Sequence, residues 1–225
     1  MKRSERNDLR VQIPDSEKAQ YVALDCEMVG IGYKGQESIL ARVTIINWDA
    51  EVLLDCFVRS EQFVVDYRTH VSGITKEDLE SEYAISFYEC QWLVAELIHD
   101  KVLVGHALKN DLRVLGIQHP WCHTRDTAKY EPFMKRRFED GILWPRKLKD
   151  LAKEILGRDI QQPGHPHSAF EDALAALDLY KKKRTGWEKV VDYKVNKMIQ
   201  MCCMTMSNDD EEMHPAYLSP SETDY

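Results

Sequence analysis

The chain has 225 residues, of which 44% are hydrophobic and 30% charged, and its formal net charge is −8 at pH 7. This length suits one ordinary domain with a substantial core and is short for two. A mean hydropathy of −0.48 and the lack of any apolar run near about 18 residues exclude a membrane span, and the charged N-terminus shows no secretory leader, so we expect an intracellular protein of the nucleus or cytoplasm.

The negative charge is concentrated at the C-terminal end. Residues 207–225 contain six acidic residues and no Lys or Arg, which leaves 30 basic against 32 acidic residues in the remaining chain. Such a stretch cannot bury enough apolar surface to fold by itself, and we predict a disordered acidic tail. The segment 129–149 instead holds seven basic and three acidic residues. This favours an edge that attracts phosphates, although a solvated charged face fits the charges equally well.

The cysteines and histidines give little sign of structural metal. Six cysteines are irregularly spaced and form no CxxC pair, as expected of reduced thiols inside a cell. His119, Cys122 and His123 form the one cluster to weigh for zinc, but they lie in a loop with Pro and Trp and lack a second spaced pair. We therefore favour an ordinary loop at this position.

The first part of the chain predicts a meander of three strands. Residues 21–29 (YVALDCEMV) are a short apolar run of β-prone residues. Two runs rich in Val, Ile and Leu follow at 39–48 and 51–59, separated by Asp49 and Ala50, and they predict a hairpin.

The rest of the chain alternates between helices and strands. Helices are predicted at 86–99, 109–115, 148–156 and 168–183, and strands at 101–105 and 124–127. Ser168 and Glu171 have the S-x-x-E spacing of a capping box, which sets the start of the last helix near Ser168. A meander followed by alternating helices and strands predicts an α/β domain with a mixed central sheet.

Two carboxylates interrupt the first predicted strand. Because side chains alternate along a strand, Asp25 and Glu27 point to the same face, where two like charges are desolvated side by side. That arrangement is costly unless cations neutralise it, and hard oxygen ligands suit Mg²⁺ or Mn²⁺. Taken alone, the same spacing also fits a strand end with its acids in water.

Two further acidic motifs lie where helices begin. Asp111, in GHALKNDL at 105–112, follows an apolar strand at the end where open α/β sheets place ligands, although taken alone it is better explained as an acid favoured by the helix dipole. His167 lies just before the last helix and Asp172 in its first turns. An imidazole titrates near neutral pH and suits a general base, although an exposed loop histidine also explains His167 by itself.

Together, D-x-E, GH-x4-D and H-x4-D in this order resemble the DEDDh exonucleases, and among them the eukaryotic RNA exonuclease branch that includes RNA exonuclease 4 and the interferon-stimulated exonuclease. The blocks that carry the resemblance are DCEMVG (25–30), LARVTIIN (40–47), DYRTHVSGIT (66–75), GHALKNDL (105–112), RDTA (125–128) and HSAFEDALAALDLY (167–180). The resemblance implies a ribonuclease H-like exonuclease fold, with a five-stranded mixed sheet flanked by helices.

The resemblance also divides the chain into segments. We expect an N-terminal extension at 1–19, an exonuclease domain at 20–185, a C-terminal extension at 186–206 for which a helix is one option, and the acidic tail at 207–225. The long basic N-terminal extension of many nuclear members has no counterpart here. Nuclear, nucleolar and cytoplasmic residence therefore all stay open.

The function implied by the resemblance is 3′-to-5′ hydrolysis of RNA, from single-stranded 3′ ends, to nucleoside 5′-monophosphates in RNA processing, including ribosomal RNA, or in turnover. Four acids are implied ligands of two divalent cations, Mg²⁺ or Mn²⁺: Asp25, Glu27, Asp111 and Asp172. His167 is the implied base. Two other functions stay open: a DNA-directed repair exonuclease acting on single-stranded DNA, and a non-catalytic nucleic-acid-binding module.

Two more residues are implied to contact the substrate. Met28 and Arg68 resemble positions that meet the terminal base and ribose in this branch, and an arginine near the 2′-hydroxyl favours RNA over DNA. The alternatives are core packing for Met28 and a surface ion pair for Arg68.

Overall fold

The computed structural model describes residues 13–137 and 139–209, with side chains up to residue 203. The chain divides into two compact units, Met1–Arg184 and Thr185–Tyr225. The strands of the main sheet are β1 (Tyr21–Ile31), β2 (Glu37–Asn47), β3 (Val52–Phe57), β4 (Val102–Gly105) and β5 (Thr124–Asp126). A separate hairpin consists of β6 (Lys135–Arg136) and β7 (Leu143–Trp144). The helices are α1 (Asp15–Lys18), α2 (Thr69–Ser72), α3 (Lys76–Glu80), α4 (Phe87–Ile98), α5 (Lys109–Leu115), α6 (Leu148–Leu151) and α7 (Ala169–Asp209).

Strand β1 lies in the middle of the main sheet, whose order is β3-β2-β1-β4-β5. It pairs antiparallel with β2 and parallel with β4. Strand β3 extends the sheet antiparallel to β2, and β5 extends it parallel to β4. The predicted five-stranded mixed sheet is therefore confirmed. The carboxyl ends of the three parallel strands meet at one edge, where such sheets place their ligands.

The side chains of β1 alternate between two layers. Leu24 and Cys26 belong to a buried cluster with residues of α4 and α5. Tyr21 instead contacts Tyr180 of α7, with ring centroids 5.6 Å apart. Period two therefore places the two carboxylates of this strand on the face of Tyr21, towards α7.

Helix α7 begins where the capping spacing predicts. Ser168 Oγ accepts a hydrogen bond from the Glu171 N–H at 3.3 Å, and the helix starts at Ala169. Further along, Lys181 Nζ donates to the carbonyl oxygen of Trp48, just after β2, at 2.7 Å. The Lys181 contact holds the first part of α7 in a defined position along the sheet.

Several predicted boundaries are corrected. The last helix, predicted at 168–183, continues to Asp209, because no proline follows Lys183 before Pro215 and nothing in between blocks a helix. The helix predicted at 148–156 is one α-helical turn followed by a π-helical turn, Ala152–Leu156, that ends at Gly157 with a φ of 69°. The hairpin β6–β7 and the short helices α1 to α3 are absent from the prediction.

The terminal segments are only partly described. Residues 1–12 and 210–225 lie outside the described part of the chain, so the disordered acidic tail stays a prediction, and its first residues, 207–209, belong to α7. The extension at 186–206 is helical. Within the described ranges, every helix is too short or too polar to cross a bilayer.

Candidate active site

A cavity of about 310 Å³ opens at the carboxyl end of the parallel strands. Four of the predicted site residues line it: Asp25, Glu27, His167 and Asp172. Asp111 lies beside them on α5, where its Oδ1 accepts the backbone N–H of Cys26 at 3.2 Å. The fold thus gathers residues from β1, α5 and the start of α7 into one place.

The four carboxylates lie close together, and three of them are buried while Asp25 is half-buried. Glu27, Asp111 and Asp172 expose only 7%, 5% and 4% of their surface. Burial, and then the charges of Asp111, Asp172 and Glu27, raise the pKa of Asp25 well above its usual range. Burial and Asp172 raise the pKa of Glu27 to about 8, although Arg42 opposes this. Burial raises the pKa of Asp111 to about 7. Without cations, the ionised forms of these carboxyl groups are therefore disfavoured.

Asp172 has one satisfied and one unsatisfied oxygen. Its Oδ2 accepts a hydrogen bond from Gln161 Nε2 at 2.7 Å, whereas its buried Oδ1 has no hydrogen-bond partner among the described residues. Burial also raises the pKa of this carboxyl group. A buried acceptor without a partner costs about 1–3 kcal/mol, and more when it is charged. A cation at this oxygen removes that cost.

The backbone of His167 is held by a hydrogen bond, whereas its ring is partly exposed. Its N–H donates to the carbonyl oxygen of Val71, at the end of α2, at 2.7 Å. Its side chain is 32% exposed, and Nδ1 lies 3.9 Å from Asp172 Oδ2. The ring is therefore close to the carboxylates without a direct hydrogen bond to them, which leaves it free to turn towards a reacting water.

Three further residues line the cavity and are absent from the sequence prediction: His106, Lys147 and Gln161. His106 Nδ1 and Thr127 Oγ1 are hydrogen-bonded at 2.9 Å. Burial lowers the pKa of His106, which favours the neutral ring. Gln161 has a left-handed backbone with a φ of 51°. The sequence signals for these residues were the GH-x4-D motif, which contains His106, and the basic segment that contains Lys147.

Met28 and Arg68 lie outside the lining of the carboxylate cavity. Met28 is half-buried and packs against the cluster under α4 and α5. The guanidinium of Arg68 donates to Ser38 Oγ at 2.9 Å and to the Gly35 carbonyl oxygen at 2.8 Å. Arg68 thereby ties the turn after β1 to the start of β2. Substrate contacts by these two residues stay a prediction.

The donor set fits divalent cations, because it consists of carboxylate oxygens on three rigid elements. Among residues 13–137 and 139–209, however, no three His, Cys, Asp or Glu side chains form a ready-made cage for an ion. Two of the four acids instead have protein partners, Asp111 in the Cys26 N–H and Asp172 in Gln161. In the loop considered for zinc, His119 is hydrogen-bonded to the Lys101 carbonyl oxygen at 3.0 Å.

Residues 22–180 match the family model described as Exonuclease (RNase_T). The chain belongs to this exonuclease family. The matched region begins in β1 and ends in α7, so it contains all five strands of the main sheet and every lining residue named above.

Curated relatives and solved structures agree with this family. RNA exonuclease 4 of Mycosarcoma maydis is 46% identical over 175 residues, which cover 78% of this chain and 45% of that protein. Apoptosis-enhancing nuclease of Rattus norvegicus is 41% identical over 180 residues, covering 80% and 53%. The chain thus spans about half the length of these relatives.

The exonuclease domain is also similar to a solved structure, the Saccharomyces cerevisiae Pan2 pseudoubiquitin hydrolase-RNA exonuclease module in complex with AAUUAA RNA. The TM-score is 0.63 at 28% identity, and the match covers 84% of this chain and 32% of that one. This likeness confirms the predicted ribonuclease H-like exonuclease fold.

Proposed function

We propose that this chain is a metal-dependent 3′-to-5′ exoribonuclease that releases nucleoside 5′-monophosphates from single-stranded RNA. The observation that carries the proposal is the cluster of four mutually repelling carboxylates, three of them buried, beside a partly exposed histidine. The printed names of the relatives support RNA as the substrate, since they include RNA exonuclease 4 and an RNA exonuclease module in complex with RNA.

Asp25, Glu27, Asp111 and Asp172 are the residues that would hold two divalent cations, Mg²⁺ or Mn²⁺. When bound between them, such ions supply a lowered pKa for the attacking water and neutralisation of charge on the phosphate and the departing 3′ oxygen. The protein contributes fixed positions for the ligands. Asp25 and Glu27 are set by the central strand, whereas Asp111 and Asp172 are set by the first turns of α5 and α7.

His167 is the group that accepts the proton of the attacking water. As the water oxygen bonds to phosphorus, a ring nitrogen of His167 takes the proton and the bond from phosphorus to the 3′ oxygen breaks. The neighbouring Asp172 carboxylate, 3.9 Å from Nδ1, stabilises the imidazolium that results. A positioned base of this kind contributes roughly 10²- to 10⁴-fold to the rate.

The proposal is tested with 5′-labelled single-stranded RNA and DNA of one sequence, incubated with Mg²⁺ or with a chelator. We expect a ladder shortened from the 3′ end, 5′-monophosphates on chromatography, faster loss of RNA than of DNA, and no activity in chelator. Internal cuts, 3′-monophosphate products or undiminished activity in chelator would contradict the proposal. Faster loss of DNA would favour the repair exonuclease, and binding without cleavage would favour the non-catalytic module.

A further inference from the structure

The hairpin β6–β7 stands apart from the main sheet. Lys135 pairs with Trp144 and Arg136 with Leu143 in a two-stranded antiparallel ladder of its own. The tip is closed by the Arg137 N–H, which donates to the Ile142 carbonyl oxygen at 2.8 Å. We call residues 135–137 and 139–147 the basic arm.

Both ends of the basic arm are attached to the folded domain, and its second end lies at the carboxylate cavity. Before it, Phe133 is 1% exposed and packs edge-on against Tyr130, with centroids 5.0 Å apart. After it, Lys147 lines the cavity and Leu148 is buried. The arm therefore ends beside the catalytic residues, and the pairing of Lys135 with Trp144 keeps its start near that end.

Three cations of the basic arm have no acidic partner among the described residues, whereas Arg137 and Arg146 are paired with Asp140 and Glu154. Lys135, Arg136 and Lys147 are exposed, and in the described residues none of them has a carboxylate within ion-pair distance. Elsewhere in the same unit, arginines are committed to acids, such as Arg42 to Asp55 at 2.7 Å. Free cations grouped beside a site for phosphodiesters form a surface that attracts phosphates.

An exposed aromatic ring completes the basic arm. Trp144 is 48% exposed, and the Arg137 guanidinium lies 4.2 Å from the centre of its ring. Arg137 is itself held by Asp140 at 3.4 Å. A tryptophan braced in this way offers a flat surface on which a nucleic-acid base can stack, and aromatic rings beside cations are the usual means of holding a single strand.

We propose that the basic arm is a second binding site for single-stranded RNA, in which Lys135, Arg136 and Lys147 contact phosphates and Trp144 stacks on a base. This rests on the proposed function. A strand cut from its 3′ end extends beyond the cavity only in the 5′ direction. The arm therefore binds nucleotides on the 5′ side of the one being released, and it raises the affinity for longer strands.

The test compares RNA of about ten nucleotides with a dinucleotide. In the double variant Lys135→Ala/Arg136→Ala, loss of two phosphate contacts should lower the slope of log affinity against log salt by about 1.4 for the longer RNA. Trp144→Ala should weaken its binding by about 5- to 150-fold. Turnover of the dinucleotide should keep its wild-type kcat, because the dinucleotide occupies the cavity and does not reach Lys135, Arg136 or Trp144. Binding is measured by fluorescence anisotropy with Ca²⁺ in place of Mg²⁺, and turnover with Mg²⁺.

Two matched controls separate the arm from general effects. Lys194→Ala/Lys197→Ala makes the same change in net charge on exposed residues of α7, and Trp92→Ala removes a tryptophan that is 62% exposed on α4. Wild-type affinity and salt slope in the arm variants, or equal losses in the controls, would overturn the proposal. If Lys135→Ala/Arg136→Ala melts below the wild type, Lys135→Gln/Arg136→Gln replaces it. A wild type that binds the longer RNA through the arm but cleaves neither substrate would contradict the proposed function alone.

Discussion

Strand β1 and helix α7 approach each other at two places that differ in chemistry. At one end, Tyr21, Trp48 and Tyr180 form an aromatic cluster with ring centroids 5.0 to 6.4 Å apart. At the other end, Asp25 and Asp172 face each other across the cavity, and burial raises the pKa of both. The first contact is favourable as it stands, whereas the second needs cations to become favourable.

The difference shows how this fold keeps an unfavourable site in place. Asp172 and Tyr180 lie on the same helix, about 12 Å apart along its axis. The aromatic cluster fixes that helix on the sheet, so the carboxylates cannot move apart to relieve their repulsion. The aromatic end thus stabilises the fold, whereas the carboxylate end destabilises it. We therefore expect a substitution at the aromatic end to lower stability, and a substitution at the carboxylate end to lower activity without lowering stability.

The largest effect is expected at the carboxylate end. Asp172→Ala should lower kcat by about 10³-fold or more, because a cation ligand worth several kcal/mol in the transition state is lost. Unfolding of the metal-free protein should occur at the same or a higher temperature, since the variant removes a repelling charge. Scanning calorimetry in chelator measures the stability and the RNA assay measures kcat. If the variant were both active and less stable than the wild type, the proposed difference between the two ends would be contradicted.

The reverse pattern is expected at the aromatic end. Tyr180 is fully buried, so Tyr180→Ala should lower the free energy of unfolding by about 3–5 kcal/mol, while the folded protein keeps its Mg²⁺ affinity. Tyr193→Ala is the control, since this tyrosine is 68% exposed and its loss should change stability by about 0.5 kcal/mol or less. Chemical denaturation measures both variants. Equal losses in the two would show that the cluster does not anchor the helix.

A smaller effect is expected from the hydrogen bond that orients Asp172. Gln161→Ala should weaken Mg²⁺ binding by about 10- to 100-fold, the usual effect of losing a partner that orients a metal ligand. Gln162 is the neighbouring exposed control, and Gln162→Ala should bind Mg²⁺ like the wild type. Calorimetric titration distinguishes them. Unchanged affinity in Gln161→Ala would mean that this hydrogen bond matters only without metal.

The last of these effects concerns pH. The raised pKa values of Glu27, about 8, and Asp111, about 7, mean that the folded protein binds these protons more tightly than the unfolded chain. The resulting stability is complete below the ordinary carboxyl pKa and is lost as the pH rises through about 7 and 8. Melting temperature in chelator should therefore fall from about pH 5 to about pH 9, and saturating Mg²⁺ should flatten that slope. A metal-free protein that gains stability over this range would contradict the assignment.

The sequence predicted the regular elements well where a clear pattern of apolar residues extended over many positions. Strand β1 was predicted at 21–29 and observed at Tyr21–Ile31, because its alternation of apolar and acidic residues reflects two packed faces. The capping residues placed the start of α7 correctly near Ser168. Its end was missed, because the helix continues past Lys183 and Gly186 to Asp209.

The rest of the site depends on contacts between residues distant in the chain. Nothing near Gln161 indicates that it meets Asp172, because the contact forms only after the loop folds over α7. Likewise, β6 and β7 have two residues each, too few to show any period. The basic composition of 129–149 pointed to phosphates, but its position beside the cavity required the fold.

The central claim, that the four carboxylates form the cation site and His167 is a base outside it, is tested most directly by Mg²⁺ calorimetry combined with kcat for one set of variants. Asp172→Ala should lose both Mg²⁺ binding and turnover. His167→Ala should keep its Mg²⁺ affinity and lose roughly 10²- to 10⁴-fold in kcat, while the exposed neighbour in His165→Ala should change neither. Loss of Mg²⁺ binding in His167→Ala equal to that in Asp172→Ala, or greater damage from His165→Ala, would contradict the account.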